Sequence, residues 1–327
     1  MPIITKMPAT KWPWLSLLAV LTFLAPASAG AREPESAVDA VEQVLNLPAG
    51  DSPKTETAGG TVQFIGTATV IIRYRGLVIL TDPNFLHKGE RVHLGYGLHS
   101  TRLTEPAIRL EDLPAVDLVL LSHLHEDHFD KRVQHGLRKD VPIVTTSDAR
   151  AGLAKMGFTK IFPLTTWQSL RVTKGPDQLH ITAMPGRHGS PVTAALLPDV
   201  MGSMLDFSSK EKSGARYRMY ISGDTLLFDQ IAQIPQRYPD IDLALLHLGG
   251  TRVLGVMKVT MDGEDGVRML QLVVPKHAIP IHYNDYTVFK SPLSDFQKAV
   301  KAAGWEARTT YLQHGQTYSW RERATGP

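Results

Sequence analysis

One stretch of seven residues, Ser122-His123-Leu124-His125-Glu126-Asp127-His128, packs three imidazoles and a carboxylate around a single short segment. Such groups are unfavourable to bury unless something compensates them. Neutral imidazole and carboxylate are the ligand types that hold zinc-like ions. The alternate spacing of His123 and His125 places both on one side of an extended segment, and a turn at Asp127-His128 presents a second pair from another direction. Four ligand-capable groups on so short a loop cannot all meet one ion and leave room for a substrate. Two neighbouring divalent ions, zinc being the expected pair, are the better geometric solution.

Four further segments share one grammar, an apolar run that ends in a polar group. Leu77–Leu80 leads into Thr81-Asp82-Pro83, where Asp82 is suited to orient a ligating imidazole rather than to bind metal itself. Leu179–Met184 leads into Pro185-Gly186-Arg187-His188-Gly189 and offers His188 as a third imidazole for the first ion. Tyr217–Ile221 ends in Ser222-Gly223-Asp224-Thr225, and beside a histidine cluster Asp224 becomes the natural bridging carboxylate. Ala278–Ile281 ends in His282-Tyr283-Asn284-Asp285, so His282 can complete the shell of the second ion.

These residues need strands to carry them to a common edge. Thr61–Ile65, Thr69–Tyr74 and Leu77–Thr81 read as successive strands, with Arg75-Gly76 as the tight turn between the last two. Val116–Leu121 is short and wholly apolar, which suits a strand buried on both faces. Later strands are expected at Leu179–Met184, Tyr217–Ser222, Ile241–Leu246 and Ala278–Ile281, with helices at Ser147–Met156, Asp262–Val273 and Pro292–Ala303. Strands clustered with helices between them predict two sheets sandwiched by helices. The Gly-rich stretch Phe85–Leu103, with Phe85, Tyr96 and three histidines, is expected to cover a cleft and set specificity. Residues 30–60 read as a lead-in segment with one short helical pattern around Ala37–Leu45, and the main domain as residues 61–327.

The first 29 residues have the layout of a secretory signal peptide: Lys6 and Lys11, an apolar run from Trp14 to Ala25, then Pro26 and the small residues Ala27-Ser28-Ala29. An exported protein is therefore expected, periplasmic in the first instance, with no stable membrane anchor once the leader is cleaved. Cleavage takes two lysines and lowers the formal charge from +3 to +1. So small a net charge offers no support for nucleic-acid binding. The chain has no cysteine, so it has neither disulfides nor thiolate ligands, and any metal site is built from His and carboxylates. Nothing in the sequence sets the oligomeric state.

The order Asp82, His123-x-His125-x-Asp127-His128, His188, Asp224, His282 resembles the metallo-β-lactamase superfamily. The resemblance runs from Thr61 to about Trp320. It implies a four-layer αββα sandwich of the α/β class with a two-metal site between the sheet edges. By matching position, His123, His125 and His188 would hold one ion, Asp127, His128 and His282 the other, with Asp224 bridging. Phe64-Ile65-Gly66-Thr67-Ala68-Thr69, Thr81-Asp82-Pro83 and Ser222-Gly223-Asp224-Thr225 are similar to the branch containing N-acyl-phosphatidylethanolamine phospholipase D and L-ascorbate-6-phosphate lactonase. The phospholipase-like members carry His where this chain has Thr67, and a His-x-Asp where it has Thr260-Met261-Asp262. Phosphodiester and lactone substrates therefore both stay open.

The expected chemistry is hydrolysis of an ester-type bond in a small or lipid-like molecule by a hydroxide shared between the ions. Asp127 or Asp224 would relay the proton, and His247 and Tyr283 would contact the charge that develops on the substrate. An exported metal-binding protein without catalysis is the main alternative. An iron-dependent oxidoreductase is disfavoured because its relatives in the superfamily carry Glu where this chain has His125.

Overall fold

The computed structural model describes residues 43–49, 59–95, 97–194, 196–210, 215–253 and 255–324. The leader and the first part of the lead-in lie outside them. Among the described residues two large sheets pack face to face. The first runs in the order Thr317–Arg321, Gly59–Gly66, Thr69–Tyr74, Leu77–Thr81, Leu118–Leu120, Ile143–Thr146, Ile161–Leu164. The second runs Gln43–Leu47, Ser169–Lys174, Asp177–Met184, Gly202–Ser209, Ala215–Ile221, Leu243–His247, His277–Ile281, with Arg323–Ala324 added alongside Ala215–Ile221.

Side-chain alternation along the strands builds the layers. Leu118 and Leu120 point into the core between the sheets, whereas Val119 points to a separate cluster beneath the helices Lys131–Gly136 and Ala149–Lys155. Leu243 and Leu245 likewise face the other sheet, and Ala244 and Leu246 face the helices Gly263–Val273 and Leu293–Ala302. A run that is apolar at every position is thus what a strand between a sheet and a helix layer requires. Three apolar interlayers mean four layers, an α/β sandwich with helices outside.

The lead-in differs from its sequence reading. Gln43–Leu47 is a strand that pairs in parallel with Ser169–Lys174, so the folded domain takes in part of residues 30–60. Gln43, Leu45 and Leu47 are half-buried and alternate with exposed Val44 and Asn46, and Leu45 and Leu47 pack on the inter-sheet core. That period of two overrides the helical pattern read over Ala37–Leu45, whose first residues lie outside the described ones. The stretch from Asn84 to Arg109 is also more ordered than a loop, since Arg91–His93 and His99–Thr101 form a small antiparallel ribbon.

Neighbouring strands run parallel in both sheets: Leu77–Thr81, Leu118–Leu120, Ile143–Thr146 and Ile161–Leu164 in the first, Ala215–Ile221, Leu243–His247 and His277–Ile281 in the second. Their carboxyl ends lie along one edge of the sandwich, the usual place for a site in a parallel sheet. Asp82, the His123–His128 segment, Asp224, His247 and His282 all sit at those ends. Among the described residues, the non-glycine positions with left-handed φ include Thr67, Asp82 and His282 on this edge. Backbone strain of this kind gathers where side chains must be aimed rather than merely packed.

Candidate metal centre

Among the described residues three groups of ligand-capable atoms form on this edge; one of them, Asp82, His128 and His247, lies behind the other two and shares His128 with the second of them. Of these two nests, His123, His125 and His188 make one; Asp127, His128, Asp224 and His282 make the other, and within each nest the candidate ligand atoms lie within 4.8 Å of one another. The nests adjoin, with the rings of His123 and His128 centred 4.2 Å apart. Every metal ligand expected from the sequence is therefore gathered into one of the two groups.

The imidazoles are aimed by partners behind them. His188 Nδ1 donates to Val259 O at 2.9 Å, and His282 Nδ1 faces Leu248 O at 3.2 Å. His123 Nδ1 is 3.0 Å from Ser122 Oγ, which leaves Nε2 to meet His125 Nδ1 at 3.0 Å. His128 Nδ1 faces Asp82 Oδ2 at 3.4 Å while its Nε2 lies 3.2 Å from Asp224 Oδ2. Holding one ring nitrogen fixes the tautomer and presents the other as a ligand. Asp82 is held in turn by the backbone N–H of Ser122, which donates to Oδ1 at 2.7 Å.

The electrostatics of the nests differ. Burial, together with the neighbouring imidazoles, keeps His123 well below the ordinary histidine range, draws His125 down to about 4 and lowers His188. Three neutral imidazoles are the ligand form. In the other nest burial opposes charge on His128 and His282, but the carboxylates of Asp224 and Asp127 outweigh it and raise both. Burial also opposes ionisation of Asp82, Asp127 and Asp224, yet the facing histidines hold all three low, Asp82 at about 2. The second nest thus pairs buried carboxylates with imidazoles drawn toward their protonated forms, and a cation there would take the place of those protons.

The donor set fits divalent cations. Asp127 Oδ1, Asp224 Oδ1 and His282 Nε2 are buried and have no hydrogen-bond partner. Orphaned buried acceptors are rare, and a bound ion is one of the few things that explains three at a single point. Oxygen and nitrogen donors in this mixture, without sulfur, suit zinc and similar ions.

Two residues sit elsewhere than the sequence suggested. His247, expected beside the substrate, is fully buried behind His128: the rings stack 10° apart at 6.0 Å, with Nε2 3.3 Å from Asp82 Oδ2 and Nδ1 3.4 Å from Ser222 Oγ. It ends a strand buried at every position, so its side chain stays between the layers and supports the site from behind, through Asp82 and against the rings of His128 and His282. Tyr283, expected to meet developing charge, packs against Phe64 in the inter-sheet core and donates its hydroxyl to Leu312 O at 3.3 Å. The left-handed backbone at His282 turns the following side chain away from the cleft.

Sequence reasoning missed Asp130 and the cleft walls. The buried Asp130 carboxylate caps the helix Lys131–Gly136 through Val133 N and also accepts from the backbone N–H groups of Phe85 and Leu86, which ties the cleft stretch to the end of the histidine segment. Its spacing before a helix was the available signal. The walls come from four separate segments, around Leu94, Leu197, Val253 and Val259, and no local pattern marks them. From the stretch Phe85–Leu103, Leu94 and Leu98 reach the cleft, whereas Phe85 is buried beneath the first sheet.

Comparison with known proteins agrees with this geometry. Residues 79–283 match the family described as Beta-lactamase superfamily domain. A UPF0173 metal-dependent hydrolase of Carboxydothermus hydrogenoformans is 28% identical over 246 residues, 74% of this chain and 93% of the relative. One from Archaeoglobus fulgidus is 27% identical over 218 residues, 66% of this chain and 86% of that one. Among solved structures, the isothiocyanate hydrolase from Delia radicum gut bacteria superposes with a TM-score of 0.66 at 24% identity, covering 80% of this chain and 99% of that one. The metallo hydrolase Igni18 from Ignicoccus hospitalis gives 0.57 at 21% identity over 80% of this chain and 98% of its own. At those identities the two structures bear on fold alone. The sequence match covers more than half of the chain, which belongs to the beta-lactamase superfamily together with these metal-dependent hydrolases.

Proposed function

We propose that the protein is an exported hydrolase that holds two divalent ions, zinc being the expected pair, and cleaves an ester-type bond. The observation that carries this reading is the pair of adjoining nests, one of neutral imidazoles and one rich in carboxylates, with unpartnered polar atoms buried in the second. When bound, such ions lower the pKa of a water toward neutrality and polarise the oxygen of an electrophile.

The chain's own residues supply the rest. His123, His125 and His188 offer neutral nitrogen without adding charge. Asp127 and Asp224 offset the positive charge of the ions and lie close enough to either nest to take up a proton and pass it to a leaving oxygen. Asp82, backed by His247, keeps His128 facing Asp224. Leu94 and Leu197 line the approach and limit water at the reacting bond. Export rests on the charged start, the apolar run and the small residues that end at Ala29.

The test is metal analysis of the purified protein, with turnover of a chromogenic carboxylic ester, a γ-lactone, bis(p-nitrophenyl) phosphate and phenyl isothiocyanate. About two ions per chain with turnover of at least one substrate is the expected result. No tightly bound metal after purification would overturn the metal reading. Two ions without any turnover would leave a metal-binding protein rather than an enzyme.

A further inference from the structure

The cleft above the two nests narrows inward, and its lining changes character with depth. Its mouth is about 520 Å3, of the size that takes a small organic molecule, and is bordered by Leu124, Leu196, Glu126, Asp148 and His93. Its inner end has only about 20 Å3 of room, close to what one water needs, and opens onto His125, Asp127, His188 and Asp224. Apart from those ligands the inner wall is Leu94, Leu98, Leu197, Val253 and Val259, with Thr251 as the one uncharged polar side chain. Val256, on the hairpin that carries Val253, is 72% exposed, and Leu196 beside Leu197 is 60% exposed. Apolar surface thus continues from Leu197 in the neck to Leu196 and Leu124 at the mouth.

Apart from the proposed ions, no cationic side chain among the described residues stands where an anion beyond the reacting bond would need one. No Lys or Arg is among the described residues that line the neck or the mouth. The charged lining of the mouth is Glu126 and Asp148, and Lys131, outside that lining, is paired with Glu126 at 3.6 Å. Cations on neighbouring segments are turned elsewhere. Arg187, next to His188, lies over the ring of Phe228 at 4.6 Å. Arg252 donates to Val256 O at 3.3 Å, and Lys258 pairs with Asp262 at 2.6 Å. Sites built for phosphate usually place guanidinium or ammonium groups, or a row of backbone N–H groups, around the anion.

We infer that the preferred substrate is an uncharged carboxylic ester or lactone that carries an apolar chain and enters with its acyl group first, rather than a phosphodiester anion. The inference rests on the hydrolase reading and narrows its substrate class. The chain occupies the mouth beside Leu124 and Leu196, and the reactive end reaches the nests as the neck side chains Leu98, Leu197 and Val253 give way to it. In the reaction water adds to the acyl carbon and the C–O bond to the leaving oxygen breaks. The products are a carboxylate, an alcohol and one released proton, or a single hydroxy acid from a lactone. No oxidant or second substrate is needed.

The test uses the full chain loaded with zinc. Its probes are γ-lactones with alkyl substituents of increasing length, the matching N-alkyl lactams as ligands that are not hydrolysed, and bis(p-nitrophenyl) phosphate. The value of kcat/KM is expected to rise about fourfold per added methylene until the cleft is filled, and lactam Kd to fall in parallel. Leu196→Ser and Leu197→Ser should flatten that slope, read as the ratio of long-chain to short-chain turnover. A flat or inverted dependence on chain length overturns the inference. Faster turnover of the phosphodiester than of every lactone overturns it as well but leaves the hydrolase reading standing. If fully loaded protein turns over no lactone and no chromogenic carboxylic ester, this inference fails; the hydrolase reading fails with it only if the phosphodiester and phenyl isothiocyanate are also left intact.

Discussion

The two nests share an edge of the sandwich and are built on opposite electrostatic plans. The imidazole nest holds charge away by burial, so His123, His125 and His188 are neutral before any ion arrives. The carboxylate nest concentrates charge: Asp127 and Asp224 face it directly and Asp82 backs it, so His128 and His282 are pulled toward their protonated forms. The first nest is thus ready for a cation, whereas the second must exchange protons for one. If the site holds two cations as proposed, a neutral and a carboxylate-rich wall would leave them part of their positive charge to act on a bound water.

Asp224 joins the two plans, and its removal should have the largest effect. If Asp224 bridges two ions as proposed, Asp224→Ala should lower turnover at least about a thousandfold, and metal content should fall with it in elemental analysis. Full metal and full activity in that variant would show that Asp224 bridges nothing.

His247 sharpens the comparison, because it touches only the carboxylate side. His247→Leu leaves Asp82 with one imidazole instead of two, so zinc affinity of one ion is expected to drop about tenfold to a hundredfold while the other is unchanged. His247→Gln, which can still donate to Asp82, should recover part of it. Competition with a chromogenic chelator reads both steps. Equal weakening of both ions would mean a general packing defect instead.

Acidity separates the nests by the smallest but most specific effect. An ion entering the carboxylate nest displaces protons from His128 and His282, whose pKa values are raised, so its affinity should increase with pH through neutrality by about tenfold per unit for each proton released. At the imidazole nest protons compete only once the pH nears the lowered pKa values, about 4 for His125, so affinity should stay level from roughly pH 6 to 8. Titration calorimetry in buffers of different ionisation heat counts the protons released at each step. Matching proton counts at the two steps would contradict the division.

Much of the site was legible because its residues are local or follow one rule. His123, His125, Asp127 and His128 are neighbours in sequence, and Asp82, His188, Asp224 and His282 each follow an apolar strand. His247 and Tyr283 satisfy the same rule, being polar groups at or just beyond strand ends, yet both face away from the cleft. Direction depends on the backbone at the strand end, left-handed at His282 before Tyr283, and a composition pattern does not carry it. The edge strand Gln43–Leu47 escaped for a related reason: five residues can be read with either period, and only their partner Ser169–Lys174 selects the strand.

By itself the sequence determined the ligand chemistry, nitrogen and oxygen donors without sulfur, and the alternation of apolar strands and helices that makes a layered α/β fold. These follow from residue type and short spacing, which need no knowledge of distant partners. The family resemblance implied which ligands share a nest; only the tertiary structure decided that one nest holds neutral imidazoles and the other buried carboxylates, and that the cleft walls are apolar. Those properties arise from side chains far apart in the chain meeting at one edge, where burial and facing charges, rather than residue identity, set protonation and surface character.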